Sequence, residues 1–428
     1  MKRKLLRQMT TEWRQNIWIV TGLTIITLAV WLFCSSLYST MEYYFMPLGF
    51  DESDVYVVDV ATLDEEAPGH IDYGEEQGAK DSDDLRTLVA RIKNSPHVEY
   101  VAYSINGAPY RLSAYNSGVR LAIEEPDTLD FSANFRRISP EGVKVLRLQS
   151  LTDRDDDFLC EKLASGEILV SPDPTYNPAT QQSRMNNWNH GHSHAAKDFV
   201  GRKVYLSSDS VTTYRVADEV ALIRRTGFER GSNGGVILPI DPDGDLSEVD
   251  NLMIRVKPGQ GKKFVEEFGS TPEMIMNRNI YLQELTSLSA KGESVNRDDV
   301  LNVRLYIFLI SFLVLILFLG LLGTFWFRMQ QRVGEIAIRR VCGATRRSIF
   351  GRVIGEGMVL LCVATLLAAA IGWFLIKRLD MFDGYTTSQL IYFELGAAVV
   401  VMAGIILSLL YPAWRAMSIE PALAVKDE

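Results

Sequence analysis

Five histidines occur in the chain, and three of them stand together as His190, His192 and His194. On an extended segment, positions i, i+2 and i+4 share a face, and three neutral imidazoles there suit Zn²⁺ or Cu²⁺. The surrounding QQSRMNNWNHGHSHAAKD looks like a polar, solvated insertion, so no metal is expected on it. Asp241-Pro-Asp243-Gly-Asp245 has the composition of a calcium loop. Its glycine comes two places too early, however, and position 12 falls on Leu252 instead of a glutamate. A turn between strands is expected there. Gly259-Gln-Gly261-Lys262 lacks the G-x-x-x-x-G-K-[ST] spacing that wraps phosphates, and neither that motif, G-x-S-x-G nor H-E-x-x-H occurs in the chain. No catalytic residue and no cofactor is therefore expected on this chain, and ATP hydrolysis by it is not.

Chemistry being sparse, the large elements carry the information. The chain has 428 residues, 47% of them apolar, but the apolar residues are gathered into four stretches without any charge: Gln15–Met41, Leu305–Phe327, Gly357–Ile376 and Leu395–Trp414. Crossing about 30 Å of hydrocarbon at about 1.5 Å per residue takes roughly 20 residues. In lipid only a helix satisfies its own backbone over such a span. Transmembrane helices are predicted at 17–38, 305–327, 357–376 and 395–411. The first is too long for a signal core and lacks a small-x-small cleavage site, so it reads as an uncleaved anchor.

Charge sets the sidedness. Residues 1–16 hold five Lys and Arg against one acid, and residues 328–352 hold seven against one. Such loops stay in the cytoplasm. The short loop 377–394, with two basic residues against three acids, falls outside, and four crossings return the tail 412–428 to the cytoplasm. The block 39–302 then lies beyond the membrane with 44 acids against 27 Lys and Arg, a net of −17 within a whole-chain −9. An acidic outer face repels phosphates and excludes nucleic acid as a partner. Of the four cysteines only Cys160 falls in this block, so an intrachain disulfide is excluded and the outer domain must hold by its core.

Patterning inside the outer block is mixed α and β. Strands are predicted at 54–60, 98–105, 168–170, 203–206, 213–217, 236–239 and 252–256. A helix is predicted over 84–94, capped by Asp83 or Asp84, and another around 264–268. The acidic, glycine-containing residues 64–84 read as a mobile loop. Residues 283–304 read as helical at their end and continuing into the second span, a stalk joining the domain rigidly to the membrane. Two α+β lobes, or one lobe with an inserted subdomain, both fit. The fold class is thus a membrane bundle of 1+3 helices with a large α+β extracytoplasmic domain between helices 1 and 2: cytoplasmic 1–16, span 17–38, outer domain and stalk 39–304, span 305–327, inner loop 328–356, span 357–376, outer loop 377–394, span 395–411 and tail 412–428. The spans carry no ionisable residue in their cores, which disfavours an ion or proton pathway and favours a machine that transmits motion.

The inner loop is the most informative segment. Gln331–Phe350 reads QRVGEIAIRRVCGATRRSIF. Val333, Ile336, Ala337 and Val341 form an apolar stripe, Gly343 can end the helix, and Thr345 can cap the next. A basic helix lying on anionic lipid would explain the arginines but would not demand so tight a helix–Gly-Ala-Thr–helix corner.

Glu335-Ile-Ala-Ile-Arg339-Arg340-Val-Cys-Gly343-Ala344-Thr345-Arg346-Arg347 resembles the signature after the second span of the MacB/FtsX-type (type VII) ABC transporter permeases. Tyr411-Pro412-Ala413-Trp414-Arg415-Ala416, followed by Ile419-Glu420-Pro421-Ala422, is similar to that family's ending. Gly166–Val170 and Phe199–Val204 resemble the MacB-like periplasmic core, and one helix, a large outer domain and three helices is the family's layout. The resemblance implies a permease subunit in a bacterial inner membrane, both termini cytoplasmic. It further implies a dimer with a second copy or a paralogue, in contact with membrane lipid. A separate ABC ATPase subunit, carrying ATP and Mg²⁺, would dock on the inner loops and its stroke would move the outer domain. The family's outputs are efflux or extraction of peptide, drug or lipoprotein, or activation of cell-wall hydrolases. MacB itself has a fused ATPase domain, which this sequence lacks. Glu335, Ile336, Ile338, Arg339, Arg340, Gly343, Ala344 and Thr345 are expected to form the ATPase-coupling element. The rival reading is an FtsX-like regulator or a ligand-sensing receptor that signals through the bundle without transport.

Overall fold

The computed structural model describes residues 13–111, 115–124, 127–171, 200–206, 209–224, 226–228, 235–379 and 387–417. They divide into two compact units, Met1–Glu42 with Asp299–Glu428, and Tyr43–Asp298.

The membrane unit is helical. Helix α1 (Trp13–Tyr44), α8 (Arg297–Gln331), α10 (Arg346–Leu379) and α11 (Thr387–Met417) each contain a stretch long and apolar enough to cross a bilayer. Several of their hydroxyls serve their own helices. Thr24 Oγ1 donates to the Val20 carbonyl at 2.7 Å and Ser36 Oγ to that of Leu32 at 3.0 Å, so neither group is left bare in hydrocarbon. Small residues let helices approach. A Cβ at Gly357 would lie 2.3 Å from Leu409 Cδ1, and one at Gly372 would lie 2.9 Å from the Trp31 ring. One apolar cluster results, from Val30 and Trp31 through Leu317 and Phe325 to Leu360, Val401 and Leu409. Trp326 stacks on Tyr411 with centroids 5.4 Å apart.

In the outer unit, eleven described strands form one hydrogen-bonded system. Chain order gives β1 (Val55–Thr62), α2 (Gln77–Lys93), β2 (Val98–Ile105), β3 (Tyr115–Glu124) and β4 (Asp127–Ile138), then α3 (Gly142–Leu146), α4 (Asp156–Ala164) and β5 (Ile168–Val170). Next come β6 (Lys203–Leu206), β7 (Asp209–Glu219), β8 (Gly235–Pro239) and β9 (Asn251–Val256). Helices α5 (Gly261–Ser270) and α6 (Pro272–Ile275), strands β10 (Met276–Asn277) and β11 (Ile280–Ser287), and helix α7 (Leu288–Val295) complete it. The order β10-β11-β1-β9-β2 is an open antiparallel sheet. Strand β2 passes to β4, and β4-β3-β6-β7-β5-β8 closes on itself because β8 pairs back, in parallel, with β4. Closure removes the exposed edges that a six-stranded extension would present. Of the two arrangements the sequence allows, the structure has one α+β lobe with an inserted subdomain, the small barrel that enters the chain between β2 and β9.

Period-two alternation builds the core of the open sheet. Leu252, Ile254 and Val256 of β9 meet Leu85, Leu88, Val89 and Ile92 of α2. Met253 turns to the opposite face, against Val143 and Val145 of α3. Helix α2 starts at Gln77, seven residues before the expected Asp84, so residues 77–84 are helix instead of mobile loop. Neither Asp83 nor Asp84 caps it. Asp84 is buried inside the helix, where its carbonyl accepts from Asn277 Nδ2 at 2.9 Å, and Ser82 Oγ accepts from the Leu246 amide at 3.0 Å. Tertiary partners supply what the local signal lacks.

Arg255 on β9, 1% exposed, braces the entrance to the sheet. Its Nε donates to the Val145 carbonyl at 2.6 Å, Nη1 to the Ser53 carbonyl at 3.0 Å and Nη2 to the Asp51 carbonyl at 3.0 Å. Asp51 also faces Arg147 at 2.9 Å. Partial burial pushes the Asp51 carboxyl up. The Ser53 amide and hydroxyl and the charges of Arg255 and Arg147 outweigh this and hold it below the usual range. A carboxyl depressed by folding stabilises above its unfolded pKa of about 4, and the stabilisation disappears as pH falls through the folded value. Asp51→Asn should therefore lower the thermal midpoint of the outer domain in the detergent-solubilised chain at pH 7, with the gap to wild type narrowing below about pH 4. An equal gap at both pH values would show that Asp51 acts through packing alone.

Candidate functional site

The corner between α8 and α10 holds the expected coupling residues. At Arg332 the backbone amide divides between the carbonyls of Arg328 and Met329, both at 3.2 Å, and the long helix ends. Helix α9 (Val333–Val341) follows at once, the Ile336 amide reaching the Arg332 carbonyl at 3.0 Å. Its end is a Schellman turn. Gly343 sits at φ +91°, and the Ala344 amide donates back to the Arg339 carbonyl at 3.0 Å. Thr345 then caps α10, its Oγ1 accepting from the Ser348 amide at 3.3 Å.

The nine residues of α9 have two faces. Ile336 and Ala337 are buried, Ile336 packing into the bundle cluster with Met329, Ile349 and Val353. Ile338 and Val341 point outward, 59% and 69% exposed, beside an exposed Cys342. Glu335 and Arg339 pair along the helix at i,i+4. Of the eight residues singled out from sequence, Ile336 is thus buried in the bundle and Ile338 exposed. Glu335, Arg339, Gly343 and Ala344 line a cleft of about 610 Å³. Thr345 is exposed at the turn, and Arg340 lies on α9.

Three charged residues absent from that set also line the cleft, Arg332, Arg352 and Glu356. Glu356 of α10, only 8% exposed, accepts from Arg332 Nη1 at 3.2 and 3.3 Å, and Arg352 stands 3.9 Å away on the same helix. In the sequence Arg352 and Glu356 form an i,i+4 Arg–Glu pair just outside the third uncharged stretch, which begins at Gly357; no local signal marks Arg332 as their partner. Helix α10 begins at Arg346, so Glu356 stands on it one residue before the uncharged stretch Gly357–Ile376, and Glu394 likewise stands on α11 one residue before Leu395. Both carboxylates lie at the ends of the uncharged stretches, on the helices that contain them.

Elsewhere, the Asp241–Asp245 turn is held by an arginine. Arg86 Nε donates to the Pro242 carbonyl at 2.9 Å, and its Nη2 contacts the Gly244 carbonyl. Asp241 and Asp245 each cap their own turn by accepting from the amides of Asp243 and Ser247. Among the described residues no group of three or more His, Cys, Asp or Glu is placed to hold a metal. His190, His192, His194 and the Ile419–Ala422 ending lie outside the described residues.

Residues 307–421, which contain this whole corner, match the family model described as FtsX-like permease C-terminal. The chain carries an FtsX-like permease domain. The outer block is similar to the periplasmic region of MacB from Actinobacillus actinomycetemcomitans, with 9% identity and a TM-score of 0.28 over 58% of this chain and 94% of that one. It is also similar to the extracellular domain of the noncanonic ABC-type transporter YknZ from Gram-positive bacteria, with 11% identity and a TM-score of 0.27 over 53% of this chain and all of that one. No curated protein matches the chain.

In this permease domain the Gly343 turn sets the angle between α9 and α10. No atom lies within 4 Å of a Cβ added there, so any penalty at this position is one of backbone conformation. A left-handed φ costs a residue with a Cβ about 1–2 kcal/mol, less for Asn and more for a β-branched side chain. Amide exchange over Val333–Val341 should accelerate in the order Gly343→Asn, Gly343→Ala, Gly343→Val. Equal protection in all three would remove the turn from its assigned role.

Proposed function

We propose that this chain is the membrane-spanning permease subunit of an ABC-type transporter, with α9 as the handle that a separate cytoplasmic ATPase subunit grips. The observation that carries the reading is the division of α9: Ile336 and Ala337 buried, Ile338 and Val341 offered outward, within the segment that matches the FtsX-like permease model. Exposed aliphatic side chains rimmed by charged groups are the make-up of a docking patch.

On this reading the basic corner is cytoplasmic, as the excess of arginine over acid in 328–352 requires. The acidic outer unit stands beyond the membrane. Nucleotide-driven closure of two ATPase subunits pulls α9, and α1 and α8, the two chain connections to the outer unit, convey the stroke. Efflux or extraction of a peptide, drug or lipoprotein is the output, through a dimer with a second copy or a paralogue. ATP and Mg²⁺ belong to the partner.

Two outcomes test this. Arg339→Glu with Arg340→Glu should abolish the stimulation of an ATPase that co-purifies with the intact chain, while the outer domain keeps its thermal midpoint; wild-type stimulation would count against α9 as the handle. A membrane-impermeant maleimide should label Cys342 in inverted vesicles and spare it in intact cells. The opposite pattern would place the corner outside and overturn the orientation.

A further inference from the structure

Glu356 joins the hinge at Arg332 to the third span. Arg332 is the residue between the end of α8 and the start of α9. Its guanidinium donates to both carboxylate oxygens of Glu356, at 3.3 and 3.2 Å. The contact bridges 24 positions of sequence across the Gly343 corner. Arg352, one turn before Glu356 on α10, faces the same carboxylate at 3.9 Å. Both pair members are sheltered: the Glu356 side chain is 10% exposed and that of Arg332 18%.

Position decides what such a contact does. Helix α9 buries two adjacent apolar residues, Ile336 in the bundle cluster and the small Ala337, and it is flanked by a helix break on one side and a glycine turn on the other. An apolar anchor resists withdrawal but permits sliding and rotation, since dispersion is weakly directional. A guanidinium facing both oxygens of one carboxylate is directional, and half-burial strengthens it. Removing one member of such a pair leaves the other charge poorly solvated, so the contact breaks only at considerable cost.

We infer that Glu356 is a positioning residue: its carboxylate clamps Arg332, fixes α9 against the third span, and makes a pull on α9 a pull on α10. The consequence for transport rests on the reading of α9 as the ATPase handle; the clamp itself does not.

The test uses the intact chain in lipid nanodiscs, with Cys34, Cys160 and Cys362 replaced by alanine and a nitroxide on Cys342. Glu356→Gln should raise amide exchange over 333–341 by about tenfold or more and increase the mobility of the label. Arg332→Gln should do the same. The double variant should fall well short of the sum of the two singles, because the Arg332–Glu356 contact is common to both. If Glu356→Gln yields no folded protein, Arg332→Gln alone, at the helix break, decides the matter by the same two readings. Unchanged exchange and label mobility in the single variants, or fully additive effects in the double one, would overturn the clamp. Stimulation of the co-purifying ATPase separates the two ideas. A loosened α9 with full stimulation leaves the clamp standing and removes the handle. A loosened α9 with stimulation lost supports both.

Discussion

Hydrocarbon supplies no hydrogen-bond partner, and most of the membrane unit follows from that one constraint. Four long helices close their own backbones, and hydroxyls such as those of Thr24 and Ser36 turn back onto carbonyls of the preceding turn. A chain under this constraint can change direction only where polar backbone has somewhere to go. Between α8 and α10 it changes direction twice within fourteen residues, at Arg332 and at Gly343, and both breaks sit in the most arginine-rich loop of the chain. The corner is therefore as much a product of the lipid as the spans are. Its orphan carbonyls are taken up by the Schellman turn and its first free amides by Thr345.

The same device recurs in both units: an arginine that ties separate segments by their oxygens. In the outer unit Arg255 takes the carbonyls of Asp51, Ser53 and Val145, joining a strand, the segment entering the sheet and a short helix. In the membrane unit Arg332 takes a carboxylate from α10. The difference lies in the balance of acceptors. Arg255 holds three carbonyls in addition to the Asp51 carboxylate at 3.4 Å, so that brace opens only if several contacts are given up together. The Arg332 contact on Glu356 is an ion pair that can open in one piece, with a defined alternative in which both groups reach water. The first kind of brace suits a platform and the second suits a joint.

Long-period features were legible from the residues. The four uncharged stretches are the four apolar helices, the Gly343 and Thr345 cap signals are the observed turn, and strands such as Val98–Ile105 and Asn251–Val256 follow from their β-branched and alternating residues. What was not legible depended on partners distant in sequence. Ser82 and Asp84 extend α2 because Leu246 and Asn277 receive them, and no local pattern announces that. The β3–β4 hairpin alternates apolar pairs, Val119 opposite Phe131 and Leu121 opposite Leu129, with polar ones, Asn116 opposite Asn134 and Arg120 opposite Asp130, and the polar half of that pattern masks the strands when the chain is read for apolar runs. At the site, charge-free windows hid Glu356. A window ends at the first charge, but a helix ends where its hydrogen bonds do, and Glu356 lies between those two limits.

A helix of nine residues is about 13 Å long and is too short to be stable in water without support. It persists here because it is held in three ways: by the buried Ile336 and Ala337, by the glycine turn, and by the pair at Arg332. Each restraint limits a different motion: withdrawal, hinging against α10, and sliding along it. With all three in place, force applied to Ile338 and Val341 displaces the corner as one body. With the ion pair open, the same force would spend itself in rotating α9 about Ile336. The division of labour between an apolar anchor that holds and a charged pair that aligns would let so small an element serve as the proposed lever, and it places the alignment in a residue of α10 instead of in α9 itself.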